Sequence, residues 1–259
     1  MVTLDQGGRG CSSLHLVGPS PALRAVVEHV WVQRYPKASP DAEPWRIVAD
    51  DAPHLIGQST PTGARLVLVG ARTTYVDADV SNRRFTVGVR LQPGTLPALF
   101  GVSANELTDR SATLADVLGR DPAEAYDALA TEDAHAAIRS LAAFLADRTR
   151  VSRPVDDRMA ALVRAGEESP ATIRHAAEAL DLSDRTVRYW SRQHVGMGMK
   201  RLWRIRGLHR ALQLGLQQPE IGWSRIAIDA GYADQSHLVR DCRSFLGEPP
   251  TAFLARAHA

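Results

Sequence analysis

Two groups of side chains in this 259-residue sequence are of types that can do chemistry. Near the C-terminus, Arg185, Thr186, Arg188, Tyr189 and Arg192 recur at helical spacing after Ser183, and Gln235, Ser236, His237, Arg240 and Arg243 recur in the same way after Asp234. Arginine donates bidentately to guanine and glutamine pairs bidentately with adenine, so both runs suit reading of base edges. Arg243 fits a phosphate contact better than a base contact, which adds affinity but little sequence information. The plainer reading of the arginines is a solvated helix face. In the front half, Asp50, Asp51 and His54 form the close acid–histidine group. Two carboxylates and an imidazole can hold a divalent metal, do acid–base work, bind an effector, or simply end a polar hairpin. Arg90 lies inside a strand-like run; pointing inward it can pair with an anionic effector, pointing outward it is a surface charge.

The basic runs need helices to present them. Ile173, Ala176, Ala177 and Leu180 recur at helical spacing and give a short amphipathic helix. Ser183 then caps a second helix, with Asp184 favourably placed in its first turn. A short helix, a tight turn and a second helix bearing outward arginines make a helix-turn-helix. The plan repeats downstream: Ser224 to Ala230 is the supporting helix, Gly231 ends it, and Gln235 to Arg243 follows with Leu238, Val239 and Cys242 turned inward. Trp190, Trp203 and Trp223 are expected to pack in this core. Between the units, Met199 to Leu214 carries Leu202, Ile205, Leu208 and Leu212 on one face. At ~1.5 Å per residue this connector spans ~24 Å, so two tilted helices can enter major-groove faces one turn, ~34 Å, apart. A rigid pair of this kind also asks for some DNA bending, costing a few kcal/mol.

The run Ile226-Ala227, Gly231 to Leu238, Arg240, Gly247 and Pro249-Pro250-Thr251 resembles the signature of AraC-type transcriptional regulators, over about the last ninety residues. The resemblance implies a DNA-binding domain of two helix-turn-helix units bridged by a long helix. The first unit departs from the family pattern: Tyr189 and Ser191, with Trp190 between them, stand where a second basic residue and a buried aromatic are usual, and Gly198 stands where proline is common. The front half is similar, more loosely, to the N-terminal domain of a subgroup of these regulators through Val30-Trp31-Val32, Gly88 to Gly94 and Leu107-Thr108-Asp109. That implies a mostly β sensory or dimerisation module, cupin-like in some relatives.

The front half reads as short strands: Val30–Tyr35, Trp45–Ala49, Pro53–Gln58, Ala64–Gly70, Thr73–Val76 and Arg84–Leu91, divided by turn signals at Pro61-Thr62-Gly63 and Ser81-Asn82. Pro21 to Glu28 is expected to open as a short helix with Ser20 as its cap. After Pro93-Gly94 the pattern turns helical: Leu96–Phe100, a Ser103-x-x-Glu106 capping box, Leu114–Leu118, Asp121–Leu129 and Asp133–Arg148. Thr149 to Pro154 reads as a linker and Val155 to Ala165 as an entry helix. The expected fold is α+β: residues 1–150 a small antiparallel sheet or partial barrel with helices, residues 151–259 an all-α double helix-turn-helix domain.

Charge follows the same division. Residues 171–259 hold 13 Arg and Lys against 8 Asp and Glu, whereas residues 1–150 hold 15 against 17. A basic half beside a slightly acidic one suits a DNA reader joined to a module that is not one. Cys11 and Cys242 have no metal or redox spacing, no apolar run reaches the ~20 residues of a membrane span, and Met1 to Gln6 lacks the features of a signal peptide. No cofactor is expected. These features point to a cytoplasmic, non-enzymatic transcriptional regulator whose partners are double-stranded DNA, a small-molecule effector, RNA polymerase and a second copy of the chain, with no membrane. The competing class is a cupin-type metal- or acid-dependent enzyme carrying a DNA-binding appendage; no phosphate loop or nucleophile elbow is present to support it.

Overall fold

Alternation of apolar side chains in the front half builds two antiparallel sheets. The computed structural model describes residues 13–35, 45–119, 123–151, 157–168 and 173–257. The strands are β1 (Ser13–Val17), β2 (Val27–Arg34), β3 (Trp45–Ile47), β4 (His54–Thr60), β5 (Gly63–Val69), β6 (Val76–Ala78), β7 (Phe85–Leu91) and β8 (Ser111–Thr113). Six form one sheet in the order β1-β2-β7-β4-β5-β8, and β3 pairs with β6 in a separate ribbon. Among the described residues the sheet stays open and no barrel closes. The expected helix from Pro21 to Glu28 is a single 3-10 turn, Pro21–Leu23. Its β-branched continuation, Val26 and Val27, is buried, and a register shift between Val27 and His29 carries the chain into β2. The strand expected at Thr73–Val76 begins only at Val76, because the Thr73 amide and hydroxyl are both taken by the Asp109 carboxylate.

The sheet's two faces differ. Val30, Val32, Leu55, Leu66, Leu68, Val87, Val89 and Leu91 point to one side and are buried there. The helices covering them are α1 (Leu96–Phe100), α2 (Ala104–Leu107), α3 (Leu114–Leu118), α4 (Ala123–Ala130) and α5 (Ala134–Val151), the last contributing Ala137, Leu141 and Leu145. Gly101, with φ 71°, ends α1 in the left-handed conformation that glycine adopts cheaply. Thr149 to Val151, expected as linker, continue α5, while the remainder of that linker and the start of the entry helix lie outside the described residues. The opposite face carries His29, Trp31, Gln33, His54, Ile56, Val67 and Arg90. A Cβ on Gly88 would stand 2.0 Å from the Trp31 ring, so glycine is what lets that indole lie across the middle of the sheet.

The back half is helical: α6 (Asp157–Glu168), α7 (Ile173–Ala179), α8 (Asp184–Trp190), α9 (Met199–Gln217), α10 (Trp223–Asp229), α11 (Gln235–Phe245) and α12 (Pro250–Ala257). The connector α9 is 19 residues long, three longer than its apolar stripe suggested, and buries Leu202, Ile205, Leu208 and Leu212. Trp190, Trp203 and Trp223 pack partly buried against the same core. Between α8 and the connector the chain winds through one wide π turn, Ser191–Val195, closed by Gly196 at φ 85°.

The halves are not packed as independent bodies. Val48, Ala49 and Ala71 from the front half sit in the helical core with the α9 leucines. The Asp51 side chain is 1% exposed and joins the halves: one oxygen accepts from Arg90 at 2.9 Å and the other from Arg206 of α9 at 2.6 Å. His209 of α9 donates from Nε2 to the Ala49 carbonyl at 2.7 Å. Removing one partner of a buried ion pair leaves a charge uncompensated, which costs about 3–5 kcal/mol. Arg206→Leu is therefore expected to lower unfolding stability by about 3 kcal/mol in urea titration, whereas Arg150→Ala, which breaks an exposed pair with Asp147, is expected to change it by less than about 0.5 kcal/mol; equal effects would contradict a structural role for Asp51.

Candidate functional site

The local sequence sets both reading heads. In the first, Ser183 Oγ accepts from the Thr186 amide at 3.1 Å and starts α8. Val187 turns inward, and Arg185, Arg188 and Tyr189 face solvent, the tyrosine 62% exposed. Thr186 is half-buried beside its cap. Ser191, standing where an aromatic was expected, is fully buried and donates to the Arg188 carbonyl at 3.1 Å. The π turn that follows carries Arg192 outward; such turns recur at functional sites. In the second head the Asp234 carboxylate accepts from the His237 amide at 2.7 Å and starts α11. Leu238 and Cys242 are buried, while Gln235, Ser236, Arg240 and Arg243 are exposed. Ser224 Oγ donates to Gln235 Oε1 at 2.7 Å, so the supporting helix holds the glutamine. His237 is half-buried, its ring edge-on to Tyr232 at 5.1 Å.

Two features of the second head had no signal in the apolar pattern. Asp241, on a helix otherwise read as basic outside and apolar inside, is fully buried and accepts from Arg204 of α9 at 2.6 Å. The same guanidinium lies over the Phe245 ring at 5.0 Å, fixing the recognition helix against the connector. Burial, helped by the Asp241 charge, pushes the Cys242 thiol up to about 12, which leaves it an inert core group.

The front-half candidates meet in a buried network. Arg90 does point to the inner side of the sheet, where Glu28, Asp50 and Asp51 all accept from its guanidinium. His54 Nε2 lies 2.9 Å from the second Asp50 oxygen. Burial alone would raise the Asp50 carboxyl; Arg90 and then His54 outweigh it and hold that carboxyl well below the usual range. Asp51 is likewise lowered against its burial by Arg206 and Arg90. Glu28 and Arg206 were not singled out by sequence: one lay in the expected helix, the other on the connector away from its apolar stripe. The pairing register, which sets His29 and His54 on either side of Arg90, is what brings these groups together.

The network forms one end of a cavity of about 440 Å³ between the open face of the sheet and the β3–β6 ribbon, a size within the roughly 300–1,000 Å³ of small-molecule sites. Trp31, Trp45, Ile47, Ile56, Val67 and Val76 supply apolar walls, and His209 and Gln213 of α9 close one side. Both His29 ring nitrogens and Gln33 Nε2 are buried there without a hydrogen-bond partner, the condition of groups that await a ligand or water. Among the described residues no cluster of His, Cys, Asp and Glu has metal-binding geometry.

The ribbon over the cavity is also anchored to the second head. The Ala49 amide donates to the Phe245 carbonyl at 2.9 Å and Thr74 Oγ1 to the Ser244 carbonyl at 3.0 Å. Tyr75 packs so closely on Gly247 that a Cβ there would stand 2.7 Å from the ring. The first head is held separately, by Thr108 Oγ1 donating to the Gly196 carbonyl at 2.7 Å.

Comparison with known proteins bears on the helical part first. Residues 176–256 match the family described as a helix-turn-helix domain. The back of this chain is a helix-turn-helix domain. Residues 15–113 match a domain of unknown function (DUF6597). No curated protein matches the chain in sequence. Among solved structures the chain is similar to ToxT from Vibrio cholerae at 1.65 Å resolution, with 9% identity, TM-score 0.49 and coverage of 95% of this chain and 99% of that one. It is also similar to an apo ToxT variant from strain SCE256, at 14% identity, TM-score 0.45, 88% and 97%. A third is ToxT bound to an unsaturated fatty acid, at 11% identity, TM-score 0.43, 96% and 97%. No described helix of this chain is long and apolar enough to cross a membrane.

The cavity has a measurable proton signature. Burial, reinforced by Arg90, pulls the His29 imidazole from 6.5 down to about 4. The unfolded chain therefore takes up this proton first as pH falls, and stability declines between those values by up to about 3 kcal/mol for this group. The Asp50 and Asp51 contributions are lost only at still lower pH. His29→Gln is expected to flatten the urea-titration profile between pH 6.5 and 4; an unchanged profile would mean His29 is protonated as readily in the folded chain.

Proposed function

We propose that this chain is a sequence-specific DNA-binding transcriptional regulator whose front half senses a small molecule. The observation that carries the DNA reading is the doubled head: two capped helices, each with exposed Arg or Gln side chains, rigidly mounted on one connector. Arg185, Arg188, Gln235 and Arg240 read base edges, with Thr186, Tyr189, Ser236 and His237 beside them. Arg192 and Arg243 neutralise phosphates and make affinity fall steeply with salt. Residues 151–259 are the DNA-binding unit, and residues 1–150 the sensory or dimerisation unit. As a regulator the protein meets RNA polymerase at a promoter in the cytoplasm, and a second chain supplies a second pair of heads where a site is repeated.

The effector reading rests on the cavity, its unpartnered polar groups, and the ribbon that roofs it and grips Phe245 and Ser244 of the second head. A ligand that shifts the ribbon changes the posture of that head; its effect on DNA affinity equals its differential affinity for the two postures. Asp50 and His54 are engaged with each other, and Asp50 also with Arg90, so the pair serves the buried network and favours a binding cavity over acid–base chemistry there.

The test is selection of bound sites from random DNA, followed by titration of variants on the selected site. Arg240→Ala is expected to lose about 1–3 kcal/mol and to relax preference at one base pair. Equal loss on every sequence would assign Arg240 to phosphate neutralisation, and failure to enrich any site would overturn the reading.

A further inference from the structure

Between the front half and the first head lies a second concavity, a cleft of about 590 Å³. Arg188 and Tyr189 of α8 and Arg192 and Gln193 of the π turn form one wall, and Asn105 of α2 forms the other. Among the described residues no carboxylate lines it. Neither Arg188 nor Arg192 has an ion-pair partner among the described residues, and both, like Asn105, are exposed. The two walls are locked together. Thr108 Oγ1 accompanies its bond to Gly196 with one to the Ala104 carbonyl at 3.0 Å. A Cβ on Gly196 would stand 2.4 Å from that hydroxyl and 2.9 Å from the Ala104 carbonyl oxygen.

We infer that this cleft takes the sugar–phosphate backbone of the duplex beside the groove entered by α8, and that Asn105, a front-half residue, is a DNA contact. The charge pattern commits the cleft to a polyanion: two unpaired guanidiniums face a neutral amide, and no acid opposes them. An asparagine amide donates to phosphate oxygens as readily as serine or glutamine does, and such contacts set register on the duplex without carrying sequence information. The position fits as well. Arg185 lies in the first turn of α8 and Arg188 at the edge of the groove it enters, so the flanking strand passes the last residues of α8, where the π turn brings Arg192 to the cleft shared with α2. The front half is then part of the DNA interface, and it bears on affinity directly through α2 as well as through the ribbon.

The inference rests on the DNA reading above, and the experiment separates the two. The full chain is titrated with its selected duplex over a range of salt, as the natural protein and as Asn105→Asp, Asn105→Lys, Arg188→Ala and Arg240→Ala. Asn105 is exposed, so its variants are expected to keep the natural melting temperature within a few degrees. Asn105→Asp is expected to weaken binding about tenfold on all sequences alike. Asn105→Lys is expected to tighten binding and to steepen the log–log salt slope by roughly one. If both Asn105 variants bind as the natural chain does while Arg188→Ala and Arg240→Ala weaken binding, Asn105 is no contact and the inference falls alone. If none of the four changes affinity, the DNA reading falls with it.

Discussion

One carboxylate, that of Asp51, is shared between a strand arginine and a helix arginine in a site with almost no solvent. Arg90 belongs to the sheet, Arg206 to the connector that carries both reading heads. A charge buried this deeply must keep its partners, because losing either costs far more than a surface pair contributes. The sheet and the connector are thereby held at one relative position, and the rest of the interface is built around that constraint: His209 bonds to Ala49, the ribbon bonds to the second head, and α2 locks onto Gly196. The network end of the cavity and the clamp between the halves are the same group of side chains.

This arrangement explains why an open sheet suffices. A closed barrel would shield a ligand by itself; here the second wall is a two-stranded ribbon and the third is the connector helix. The price of leaving the sheet open is a cavity whose integrity depends on the DNA-binding part. The same arrangement gives the front half a grip on each head at a different point, Gly196 for the first and Phe245, Ser244 and Gly247 for the second. A rigid pair of heads needs its spacing set against the ~34 Å repeat of the duplex, and the connector alone fixes distance better than it fixes relative tilt.

The helical half was the more legible in sequence, for a physical reason. Apolar residues three and four apart, with Ser183 and Gly231 marking ends, specify helices locally, and the connector's leucines lie where spacing put them. Most strands were legible too, from alternation between Trp31 and Leu91. What failed to show was non-local. Glu28 looked like the end of a helix because only the register shift at Val27 makes it a strand residue facing Arg90. Three-residue β8 exists because β5 offers an edge, not because Ser111-Ala112-Thr113 demands one. Nothing in the local pattern marks Asp241 as buried until Arg204, from another helix, is placed against it. The cavity belongs to no segment at all, since its walls come from two sheets and a helix.

The claim that the cavity roof and the DNA-reading heads move as one coupled system is reciprocal by thermodynamic necessity, so it can be tested without knowing any effector. Backbone hydrogen exchange of the full chain, measured with and without its selected duplex, addresses it most directly. Coupling predicts that DNA changes protection at the ribbon, residues 45–49 and 74–78, as well as in α8 and α11. Changes confined to the helical half, with the ribbon exchanging identically in both states, would contradict the account.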